Sequence, residues 1–109
     1  MNNEIEHLSE ELQKALADQN VRELSEVQKQ CIPYACQGLD IFAQAPTGSG
    51  KTYAYLIPIL ERIERQGKGK HYPQAVILSP TRELCLQTAE CIRRLLTNIE
   101  GVRTAVLTG

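Results

Sequence analysis

A chain of 109 residues carries at most one domain, with a core large enough to fold but not generous. Hydrophobic residues make up 42% and charged residues 23%, a balance that excludes disordered and collagen-like classes. The formal charge of -1 gives no global basic field, so any contact with nucleic acid must be local.

No apolar run approaches the roughly 20 residues that a membrane helix needs. The opening MNNEIEHLSE is acidic and polar, unlike a secretory signal or an Arg-rich transit peptide, and a cytoplasmic location is expected. Cys31, Cys36, Cys85 and Cys91 form no C-x-x-C pair and have no histidine at zinc-ligand spacing. They read as reduced thiols packed as small hydrophobes, and His7 and His71 as surface residues.

In chain order, Ile5, Leu8, Leu12, Ala15 and Leu16 recur at helical spacing, with Ser9 as N-cap and an end near Asn20. A second helix is predicted over 25–37, tolerating or bending at Pro33 and stopped by Gly38. The period then changes. Residues 40–45 (DIFAQA) are short, apolar and bounded by glycine and proline, which suits a buried strand. After a glycine-containing turn, 51–65 (KTYAYLIPILERIER) reads as a helix that Pro58 should kink or deprive of one backbone bond. Residues 66–73 (QGKGKHYP) form a charged loop, and 74–79 (QAVILS) a second strand. Pro80 suits the first position of a helix capped by Ser79. Leu84, Thr88, Cys91, Ile92 and Leu95 mark its buried face to about Thr97, and 103–108 (RTAVLT) is a third strand. The alternation predicts an α/β fold with a parallel sheet and right-handed crossovers.

The chemistry sits in 44–52, QAPTGSGKT. A glycine-rich turn between a strand and a helix aims backbone N–H groups and the positive helix end at one point, which makes a phosphate site. Gly48 and Gly50 let the backbone approach without a Cβ, Lys51 brings a point charge, and Thr52 offers its hydroxyl to Mg²⁺. The pattern is A-x-x-x-x-G-K-T, with Ala45 in place of the common glycine. Nucleoside triphosphate binding is the inference, although such a loop is shared by many enzyme classes.

Two further stretches narrow the class: 80–84 (PTREL), and 28–33 (QKQCIP) upstream of the loop. Together the three resemble the DEAD-box RNA helicases, built from two RecA-like domains. APTGSGKT is similar to their motif I, SPTREL to motif Ia, QKQCIP to the Q motif, and Leu107-Thr108-Gly109 to the start of the next. The likeness runs from about Leu8 to the C-terminus. It implies an incomplete RecA-like P-loop domain of parallel strands and flanking helices, with 1–37 as a helical Q-motif region and 38–109 as a truncated ATP-binding core.

The resemblance also implies roles. Gln28 would read adenine, since a carboxamide donates and accepts together. Ala45, Pro46, Thr47, Gly48, Ser49, Gly50, Lys51 and Thr52 would hold ATP, with Lys51 and Thr52 serving the reaction and Thr52 facing Mg²⁺. Pro80, Thr81, Arg82 and Gly109 would line the RNA path. The chain departs from the family at Leu24-Ser25, where Pro-Thr is usual, at Asn20, and near Asn3, where an aromatic residue is expected.

The family's Asp-Glu-Ala-Asp and Ser-Ala-Thr segments do not occur in the sequence. Phosphoryl transfer needs carboxylates to hold Mg²⁺ and orient water. The chain by itself is therefore expected neither to hydrolyse ATP nor to unwind duplexes, while the parent protein would do both. Buried-type strands with open edges favour self-association. Alternatives are a non-catalytic nucleotide- or RNA-binding module, and a small-molecule P-loop kinase, which would leave PTREL unexplained.

Overall fold

A computed structural model describes residues 5–46, 48, 50–67 and 70–108. A single 3-10 turn, Ile5–His7, leads into α1, Glu10–Asp18. Ser9 caps α1: its backbone is extended and its Oγ accepts the Leu12 N–H at 3.4 Å. Glu10 and Glu11 add negative charge where the helix dipole is positive. Asn20 then turns the chain with a φ of +62°.

α2, Glu26–Cys36, opens on a capping box. The Ser25 N–H donates to Gln28 Oε1 at 2.9 Å, and the Gln28 N–H donates to Ser25 Oγ at 3.4 Å. Pro33 is accommodated on the exposed side of this helix, and Gly38, at φ +85°, turns the chain out of it. α3, Lys51–Gln66, runs unbroken through a buried Pro58. The helix gives up the bond that a Pro58 N–H would make and continues through it, with Ile57 and Leu60 held in the core on either side.

α4, Arg82–Leu96, starts two residues later than a Ser79 cap would place it. Thr81 is the cap, accepting the Leu84 N–H at 3.1 Å, so Pro80 lies outside the helix instead of at its first position. Of the face predicted to be buried, Leu95 is fully enclosed, Thr88, Cys91 and Ile92 are half-buried, and Leu84 is exposed.

The four helices make one apolar core. Leu12 and Leu16 from α1, Ile32 from α2, Leu56, Ile57 and Leu60 from α3 and Leu95 from α4 meet with Leu24 and Ile99. Each such side chain contributes about 1.5–3 kcal/mol relative to exposure. Polar ties cross the same interfaces. The Ser9 N–H donates to Oε1 of the buried Glu61 at 3.0 Å and Asn98 hydrogen-bonds Asp18, while within α3 Arg65 lies 3.3 Å from Glu61 Oε2.

The three predicted strands are not formed. Among the described residues none is in a strand, and no backbone–backbone hydrogen bond joins 40–45, 74–79 or 103–108 to another segment. The reason lies in how the two structures bond. A helix closes its own N–H to C=O ladder, whereas a strand exists only once a second strand supplies partners. All four free cysteines fit their expected role as small core-side groups, with Cys31 buried and the other three half-buried. His7 and His71 are exposed, as expected.

Candidate nucleotide site

Gly50 is the N-cap of α3 and adopts φ +92°, ψ 22°, a conformation costly for any residue with a Cβ. No side chain caps this helix, so its first N–H groups and its positive dipole end are left to face an anion. Gly48 is also left-handed, at φ +86°, and a Cβ there would meet nothing within 4 Å. Space for a ligand is therefore open on that side of the turn.

Gly50 is crowded instead. A Cβ on it would lie 2.5 Å from Gln28 Nε2 and 2.8 Å from Ser25 Oγ. Gln28, only 4% exposed, donates from Nε2 to the Gly50 carbonyl at 3.0 Å while its Oε1 holds the Ser25 N–H. The start of α2 is thus bolted to the start of α3. The Gln28 carboxamide still has one N–H and one oxygen lone pair beyond these two bonds. Sequence reasoning missed both the capping box, for which the spacing Ser25-x-x-Gln28 was the available signal, and the bond to Gly50.

Beside the turn lies a cavity of about 570 Å³ between α2, α3, α4 and residues 41–43. Lys51 and Thr52 line it at the phosphate end, and Tyr55 and Thr88 meet across it with their hydroxyls 3.4 Å apart. Cys31, Ala54 and Pro58 supply apolar walls. Its cationic residues are Lys51 and Arg62, and no carboxylate lines it, so the described wall favours anions. Arg62 was missed in the sequence. Its spacing from Lys51, three turns further along α3, was the available signal.

Of the other predicted site residues, Ala45 is half-buried and Pro46 exposed. Pro80, Thr81 and Arg82 stand exposed together at the start of α4, outside the wall of the cavity. Thr81 has its hydroxyl committed to the Leu84 N–H. Thr47, Ser49 and Gly109 lie outside the described residues. Among the described residues no group of three or more metal-ligating side chains gathers, and no helix is long and apolar enough to cross a membrane.

In fold the chain is similar to helicase domains of RecA-like type. A family model described as DEAD/DEAH box helicase matches residues 25–109, and the chain belongs to that family. It is 44% identical over 89 residues to the DEAD-box ATP-dependent RNA helicase CshC of Bacillus cereus, covering 82% of this chain and 22% of that protein. It is 36% identical over 102 residues to the ATP-dependent RNA helicase DeaD of Haemophilus influenzae, covering 94% and 16%. Among solved structures, the RNA helicase Prp28 from Chaetomium thermophilum bound to ADP superposes with a TM-score of 0.84 at 32% identity, covering 99% of this chain and 27% of that one. A DEAD box protein from Methanococcus jannaschii gives 0.72 at 34% identity, covering 82% and 24%. The chain thus spans about a fifth of the length of such relatives.

Proposed function

We propose that this chain is the ATP-binding portion of an RNA helicase, with residues 1–37 as the Q-motif region and 38–109 as the core. The carrying observation is the uncapped α3 N-terminus behind two left-handed glycines, with Lys51 and Thr52 on the wall of a carboxylate-free cavity. The α3 N–H groups and the Lys51 ammonium would hold the β- and γ-phosphates, and the Thr52 hydroxyl would ligate Mg²⁺. Residues 45–50 would wrap the phosphate chain. When bound, ATP and its metal supply the transferable phosphoryl group and the charge that polarises it.

Gln28 would meet adenine with its remaining N–H and lone pair while keeping its hold on Gly50. The exposed Pro80, Thr81 and Arg82, together with Gly109, would grip RNA through its backbone, with Arg82 as the charge. Four free thiols suit a reducing, cytoplasmic setting.

Among the described residues no carboxylate lines the cavity, so the chain alone would bind ATP without activating water for its hydrolysis. Calorimetry with ATP, ADP and GTP tests this reading. Lys51→Ala should weaken ATP binding at least tenfold, and Gln28→Ala should narrow the preference for ATP over GTP. Equal binding of ATP by the Lys51 variant would overturn the site. RNA-stimulated phosphate release by the pure chain would overturn its inactivity.

A further inference from the structure

Glu61 is a buried carboxylate that the nucleotide site does not use. It is 5% exposed and lies on α3 between the core residues Leu60 and Ile63. A carboxylate in such a place is costly unless its oxygens are bonded. One oxygen accepts the Ser9 N–H at 3.0 Å, and the other lies 3.3 Å from Arg65. The bond to Ser9 reaches back 52 residues, to the cap of α1.

The other end of that same stretch of chain is fastened to the same helix. Gln28 donates to the Gly50 carbonyl at the start of α3, and Ser9 donates to Glu61 about three turns further along. Residues 9–28 therefore form a strap along α3, held at both ends. Between the two anchors Leu12, Leu16 and Leu24 are buried, and Asn20 turns the chain at φ +62°. Ser25 then locks the start of α2 through its capping box with Gln28.

We infer that Glu61 is a positioning residue: it anchors the remote end of the strap, so that Gln28 is held at the phosphate turn ready for adenine. A segment tied at one end explores more conformations than one tied at both, and ligand binding must then supply the lost order. The effect falls on the base. The α3 N–H groups and Lys51, which would hold the phosphates, belong to α3 itself and keep their places. The consequence for adenine rests on the proposed role of Gln28, whereas the hold of Glu61 on the capping box does not.

The test uses the 109-residue chain and four variants. Glu61→Leu removes the acceptor at similar volume. Ser9→Pro removes the donor at a φ of -61°, which proline adopts. Glu61→Gln keeps an oxygen for the Ser9 N–H, and Ser9→Ala keeps that N–H while weakening α1 through its lost cap. In the ligand-free protein, amide exchange at Ser25 and Gln28, the two capping-box donors, should quicken about tenfold in the first two variants. In the last two it should quicken by less than about threefold. In calorimetry, the first two variants should narrow the preference for ATP over GTP by about threefold or more, with GTP affinity within about twofold of the parent chain. Unchanged exchange at Ser25 and Gln28 in Glu61→Leu and Ser9→Pro, or equal quickening in all four variants, would overturn the anchor. A parallel loss of ATP and GTP affinity would make Glu61 merely structural and overturn its positioning role. A Gln28→Ala control separates the two readings: if it leaves the preference untouched, adenine recognition by Gln28 has failed, and the exchange result alone decides on the anchor.

Discussion

The helices and the extended segments both carry large apolar residues, yet their most extreme burial differs sharply. Leu12, Leu16, Leu56, Ile57 and Leu95 are at most 1% exposed, whereas Leu78 and Leu107 are about nine-tenths exposed. Hydrophobicity is therefore not what separates them. An amphipathic helix arrives with its backbone bonds made and needs only a neighbour for one face. A strand needs a neighbour for its backbone as well, and 40–45, 74–79 and 103–108 have none within the described chain. Apolar content tells which segments are built for burial, and hydrogen-bond accounting tells which can achieve it alone.

The sharpest way to break this comparison is to truncate one leucine from each side. Leu56→Ala should cost about 2–5 kcal/mol in urea unfolding, and Leu78→Ala, measured at dilution, within about 0.5 kcal/mol of zero. Similar losses at both would mean that the extended segments are core after all. The two glycines of the phosphate turn make the next contrast. Gly50→Ala must displace Gln28 and Ser25 and hold φ +92°, so it should cost more than about 1 kcal/mol and disturb α2. Gly48→Ala carries backbone strain only, with nothing near its Cβ, and should cost less. Ser25→Ala removes one half of the capping box, for about 1 kcal/mol, and should loosen the grip of Gln28 on Gly50, which amide exchange at the start of α3 would report.

The smallest effect lies on the solvent side of α4. A hydrogen bond from Arg93 holds the Glu90 carboxyl below its ordinary range, with the charges of Arg93 and Arg94 assisting. A depressed carboxyl contributes stability above its unfolded value of about 4.3 and loses it as pH falls through the lower folded value. Glu90→Gln should abolish that acid-side step in helicity. The effect is slight because the pair is exposed and screened.

Much of this was legible in the residues. Helix positions followed from apolar spacing, and the cap at Ser9 from its side chain. The phosphate turn followed from Gly48, Gly50, Lys51 and Thr52. Three things were not. The strands carried the right composition but depend on partners that composition cannot supply. Ser79-Pro80 suggested the start of α4, whereas the cap that forms is Thr81, with an extended backbone. Glu61 read as one more charge on a helix, although its place between Leu60 and Ile63 put it on the buried face. Its role depends on Ser9, and no local pattern links positions so far apart.

That last bond bears on the order of events during synthesis. α1 leaves the ribosome before the groups that fasten it, which lie far downstream. Ser9 waits for Glu61, 52 residues on, and Asp18 waits for Asn98, 80 residues on. Closing such long loops is slow compared with winding a helix. α1 is therefore fastened only after these later residues emerge, and until then its leucines are available to chaperones.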